Sequence, residues 1–145
     1  MLSVQADRPT EPPFDVVARF TTKASVDTQY GAPTAWCSPP RAYKEFKRYQ
    51  REQWMVAHKT LPLGSLVLVI RHGNPMLVSG GIASDRGPYI RGRGIDVGAH
   101  LANQLRLWRV GVARVGVWVL RRGPGESPQQ DYRLIEQARH WILSQ

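Results

Sequence analysis

Residues 57–120 read AHKTLPLGSLVLVIRHGNPMLVSGGIASDRGPYIRGRGIDVGAHLANQLRLWRVGVARVGVWVL, and their pattern decides the fold. Aliphatic, β-branched runs alternate with three short interruptions: His58-Lys59-Thr60-Leu61-Pro62, Asp85-Arg86-Gly87-Pro88 and Gly94-Ile95-Asp96-Val97. LVLVIR at 66–71 lies between Gly64 and the turn signal His72-Gly73-Asn74, which predicts a strand. PMLVSGGIAS at 75–84 predicts the returning strand, with Gly80-Gly81 marking a bulge or sharp bend. ARVGVWVL at 113–120 sets Val115, Val117 and Val119 on one side of a final strand. Between them, 98–108 predicts a short helix with Leu101, Leu105 and Trp108 on one face. A histidine and two carboxylates at strand ends are what a small barrel needs to build a polar groove. The stretch is therefore a candidate site as well as a fold signature.

Working outward, residues 1–15 are rich in Pro, Asp and Glu and read as a flexible arm. Strands are predicted at 16–22 (VVARFTT) and 24–30 (ASVDTQY), followed by a loop at 31–40 with prolines and small residues. At 41–53, Tyr43, Phe46 and Gln50 fall at helical spacing, with Arg41, Lys44, Lys47, Arg48 and Arg51 around them. That segment is either a solvated helix with a basic face or a basic rim on a ligand groove. Gly123-Pro124-Gly125 and Ser127-Pro128 separate the strands from a last predicted helix at 131–144. Its apolar stripe (Leu134 or Ile135, Ala138, Trp141, Ile142) is expected to pack on the barrel; docking a protein partner is the alternative. The expected organisation is an arm at 1–15, a barrel at 16–122, and a linker with C-terminal helix at 123–145.

At 145 residues the chain is one domain by length, long enough to bury a core. No apolar run approaches the roughly eighteen residues that span a bilayer. MLSVQADRPTEPPFD has neither the basic start nor the apolar run of a signal peptide. Lys and Arg total 20 against 11 Asp and Glu, a net charge of +9 and a pI near 10.4, which calls for an anionic partner. Nucleic acid fits that charge, but no zinc finger, RNA-recognition signature or Gly-rich phosphate loop appears. Cys37 is the only cysteine, which excludes an intrachain disulfide and a multi-Cys zinc site. His58, His72, His100 and His140 lack ligand-type clustering, so neither metal nor cofactor is expected.

The combination AHKTLPLG followed by SDRGPYIRGRGIDV resembles the rare lipoprotein A family of septal lytic transglycosylases, whose barrel expansins and barwin-like proteins share. The resemblance implies a mainly β fold: a six-stranded double-psi β-barrel with short helices and an appended C-terminal helix. It implies cleavage of peptidoglycan glycan strands, those poor in stem peptides, with formation of a 1,6-anhydro end, in the periplasm or cell envelope. A non-catalytic, expansin-like glycan-binding barrel, or a structural part of a larger assembly, is the alternative. Muramic acid stripped of its stem peptide exposes a lactyl carboxylate, which suits a basic protein.

Asp85 matches the family's catalytic Asp. As an acid it would protonate the glycosidic oxygen; as a base it would take the C6 hydroxyl proton as the anhydro ring closes. That work needs a carboxyl raised by partial burial. Residue type alone favours turn capping for Asp85. Asp96 resembles the second of the paired acids that line the polysaccharide groove of expansins and related endoglucanases, which makes it a candidate catalytic residue. The competing reading is a cap on the helix that begins near Gly98. A hydrolase would need both carboxylates and a water, whereas a lytic enzyme needs no water. His58 matches the family's active-site His, able to orient a sugar or hold the charge state of Asp85; packing is its ordinary role. Lys59, Thr60, Arg86, Arg91 and Arg93 are the expected substrate-binding residues, with Tyr89 as a stacking face. For Arg91 and Arg93 a solvated basic loop is an equal reading. One departure lies upstream: the family's glutamate, eleven residues before the His, has Lys47 in its place. Glu45 and Glu52 stand nearby in a different context.

Overall fold

The computed structural model describes residues 11–27, 34–44 and 53–145. Six strands close into a barrel: β1 (Ala18–Val26), β2 (Met55–Ala57), β3 (Leu66–Arg71), β4 (Leu77–Asp85), β5 (Arg93–Val97) and β6 (Val112–Arg121). Their order around the barrel is β1-β5-β2-β4-β3-β6. The β1–β5 and β2–β4 pairs are parallel and the rest antiparallel, the interlocked arrangement of a double-psi barrel.

β3 shows why its sequence is apolar throughout. Val67 and Val69 point into the barrel with Val115, Val117 and Val119 of β6. Leu66, Leu68 and Ile70 face outward and are covered by the C-terminal helix α2 (Pro128–Leu143). A strand buried on both faces carries no polar alternation. The α2 stripe of Ile135, Ala138 and Ile142 is buried against this outer face. α2 starts before the predicted 131 because Ser127 caps it: its Oγ accepts from the Gln130 amide, with Pro128 in the first turn. Asp131 then closes a polar knot, accepting from Arg121 at 2.5 Å and from the Tyr43 hydroxyl at 2.9 Å.

Several expectations change. Strands predicted at 16–22 and 24–30 are one strand, β1, continuous through Lys23 because β6 pairs with it from Ala18 to Ser25; 28–30 lie outside the described residues. β5 takes in the interruption Gly94-Ile95-Asp96-Val97, and β2 forms at 55–57, where the sequence predicts no element. Gly80-Gly81 is no bulge, since β3 pairs through it in unbroken register. The glycines allow close approach instead: a Cβ on Gly80 would stand 2.8 Å from Ile135. The register break in β4 comes later, where Ala83 and Asp85 pair with successive β2 residues and Ser84 is passed over.

The helix predicted at 98–108 is α1 (Ala99–Gln104). Arg106 adopts φ 53°, so the helical period fails, Leu107 rather than Trp108 is buried, and Trp108 is 47% exposed. Of the segment 41–53, Arg41–Tyr43 is one 3-10 turn with Tyr43 buried and Arg41 and Lys44 exposed, and Lys47, Arg48 and Arg51 lie outside the described residues. Phe14, expected in the flexible arm, packs edge-on against Trp141 at 5.9 Å.

Candidate active site

The ends of β1, β2, β4 and β5 meet at an open cavity of about 350 Å³. β1 brings Ser25, Val26 and Asp27, β2 brings Ala57, and β4 with the turn after it brings Asp85 through Ile90. β5 adds Arg93 and Asp96, so Asp85 and Asp96 face one space. The β4 bulge sets this up by moving Asp85 into register with Ala57. Gly87, at φ +116°, then turns the chain so that Tyr89 and Ile90, 77% and 57% exposed, form the lip.

Asp85 Oδ1 accepts the amides of Ala35 at 3.0 Å and Arg86 at 2.8 Å. Turn capping, the ordinary reading, is therefore observed, and among the described residues Oδ2 takes no hydrogen bond. Asp96 does not cap α1, whose first turn has no side-chain cap. It accepts instead from the Ser25 hydroxyl in a short hydrogen bond. Burial pushes Asp96 above the usual carboxylate range against that bond; Asp27 and Asp85 add to the shift and Arg93 opposes it.

His58 lies beside the cavity and is not among its lining residues. Its amide donates to the Asp85 carbonyl at 3.1 Å, and its ring packs 5.5 Å from Phe20. Nδ1 accepts the amides of Thr60 and Leu61 at 3.1 and 3.0 Å. Burial, then Arg86 and Lys59, lower its pKa, so the ring stays neutral with its proton on Nε2. Arg86 lines the cavity, yet its guanidinium donates to the carbonyls of Leu61 (2.5 Å) and His58 (3.3 Å). It clips the His58 turn to the Asp85 turn. Arg93 and Tyr89 line the cavity; Lys59, Thr60 and Arg91 are exposed outside it. Ser25 and Asp27 escaped the sequence reading because β1 lies far from the motifs, 71 residues before Asp96 in the case of Ser25. The Ala35 amide was missed too, in a segment read only as loop. Lys47, Glu45 and Glu52 lie outside the described residues. Among those described, no group of three His, Cys, Asp or Glu is placed to hold a metal ion.

Residues 28–117, more than half of the chain, match the lytic transglycolase family. The chain belongs to that family. Relatives include the probable endolytic peptidoglycan transglycosylase RlpA of Aquifex aeolicus, 36% identical over 52% of this chain and 33% of its own length. The endolytic peptidoglycan transglycosylase RlpA of Pasteurella multocida is 40% identical over 50% of this chain and 24% of its own. That of Helicobacter pylori is 28% identical over 89% of this chain and 42% of its own. The chain thus spans well under half the length of these lytic transglycolase relatives. Among solved structures, a Streptomyces papain inhibitor is covered in full, with a TM-score of 0.52 and 20% identity over 77% of this chain. That likeness is one of fold alone.

Proposed function

We propose that this barrel is the catalytic domain of a peptidoglycan lytic transglycosylase acting on stem-peptide-poor glycan strands in the periplasm or cell envelope. The observation that carries this reading is one open cavity holding two carboxyl groups with unlike surroundings. Asp85 accepts two backbone amides through Oδ1, while burial raises the pKa of Asp96. A protonated Asp96 gives its proton to the glycosidic oxygen as the bond to the muramic C1 breaks. The C6 hydroxyl oxygen closes on C1, and its proton passes to Asp85. No water is consumed, and the proton on Asp85 returns through solvent to Asp96. This divides between two groups what Asp85 alone would otherwise do. His58 and Arg86 hold the two turns in place, Tyr89 offers a sugar-stacking face, and Arg93 offers a cation for a lactyl carboxylate. Lys59, Thr60 and Arg91 would meet sugars beyond the cavity. No helix among the described residues is long and apolar enough to cross a membrane.

Asp85→Asn tests the assignment. The variant keeps an oxygen for the two amides, so the turn survives, but it cannot accept the proton. Turnover of purified stem-peptide-free strands should fall by a factor on the order of 10²–10⁴, with strand binding retained. Wild-type turnover by the variant would end the assignment. A second reading, a glycan-binding barrel without catalysis, is favoured by the capping role of Asp85 and by Lys47 at the family's glutamate position. It requires that the wild-type protein bind strands and leave them intact.

A further inference from the structure

Outward-facing positions of β1 carry Arg19, Thr21 and Lys23, all exposed. Lys23 is the register partner of Arg114 in β6 on one side and of Arg93 in β5 on the other. Three cations thus sit in one row across three adjacent strands, spanning two inter-strand spacings, roughly 10 Å. Like charges directly opposite one another weaken a sheet, and none of the three forms a salt bridge among the described residues. Farther along the same strand pair, the Arg19 guanidinium stacks 4.0 Å from the centre of Trp118. The row is continuous with the site, because Arg93 also lines the cavity.

We propose that the row Arg93–Lys23–Arg114 is a second binding surface, which takes the carboxylates of an acidic glycan strand as it leaves the cavity. The proposal rests on the proposed function for the strand's identity. Charge arrangement favours this partner over nucleic acid. The cavity beside the row holds Asp27, Asp85 and Asp96, which would repel a phosphate on every unit. A strand that alternates a neutral sugar with a carboxylate-bearing one can set hydroxyls at the acids and carboxylates on the row.

The test is the double variant Lys23→Gln/Arg114→Gln, with both changes at exposed positions outside the cavity. Thermal unfolding should occur at or above the wild-type temperature, since only like-charge repulsion is removed. Affinity for stem-peptide-free glycan strands at low salt should fall roughly three- to tenfold. Binding of neutral N-acetylglucosamine oligomers should not change, and the salt dependence of strand binding should flatten. Unchanged strand affinity in a folded variant would overturn the proposal. So would equal loss for the neutral oligomer, or a loss confined to duplex DNA or to anionic lipid vesicles. The two readings fail separately: strands bound through the row but never cleaved by wild type refute the catalytic reading alone, and strands cleaved with no loss of binding in the variant refute the row alone.

Discussion

Asp96 shares its cavity with the Asp27 and Asp85 carboxylates, and burial is the largest of the effects that raise its pKa. A carboxyl group that holds its proton more tightly in the folded state lowers folding stability as pH rises, from its unfolded value near 4 upward through its folded value. Asp96→Asn removes that penalty and leaves an oxygen for Ser25 to donate to. The variant should be more stable than the parent at neutral pH, and the advantage should vanish below about pH 4, outside the carboxylate range. Denaturant unfolding followed across pH reads this directly; a variant less stable than the parent at pH 7 contradicts it. The Asp85 and Asp96 motifs were legible in the sequence because each sits in a distinctive turn or strand end. The partners that set their charge were not. Ser25 and Asp27 arrive from β1 by topology, and nothing local signals that Arg86 donates to two carbonyls of the turn holding His58.

The shortest elements of this barrel were the least readable. β3, β4 and β6 carry their own pattern, whereas β2 has three residues and β5 five, too few to display a period. Both are held by neighbours on each side. The stripe of α2 was legible; that Gly80 exists to admit Ile135 was not, because a glycine reads as a bend until its neighbour is known. Gly80→Ala would press a methyl group into Ile135 and the Val67 carbonyl, within 2.8 and 2.9 Å. Destabilisation of about 1–3 kcal/mol is expected, seen as a lower unfolding midpoint. An unchanged midpoint would mean that α2 is not seated on β4. At the other end of α2, burial and the hydrogen bond to Asp131 push the Tyr43 hydroxyl up to about 12. Asp131→Ala leaves that hydroxyl without its acceptor and the Arg121 guanidinium, 28% exposed, with only the carbonyls of Gly64 and Gly123. A loss of about 3 kcal/mol follows, and a loss below about 1 kcal/mol would show that the knot is not what ties α2 to the barrel.

At the scale of the whole molecule, the cavity gathers Asp27, Asp85 and Asp96 beside Arg86 and Arg93, while Lys23, Arg19 and Arg114 lie on the outer face of β1 and β6. The net charge of +9 was plain in the sequence, but the row of cations that runs from the cavity across β1 to β6 appears only when the barrel closes. Carboxyl groups in the cavity with cations leading away from it suit a substrate with neutral reacting sugars and acidic substituents. The central claim is that two carboxyl groups cleave such a strand with its own C6 hydroxyl as nucleophile. Digestion of stem-peptide-free strands in heavy-oxygen water, with the products read by mass spectrometry, tests it most directly. Anhydro-ended fragments without label are expected from the wild-type protein, and almost none from Asp85→Asn. Reducing ends carrying heavy oxygen would identify a hydrolase, and strands left whole would identify a binder; either result contradicts the claim.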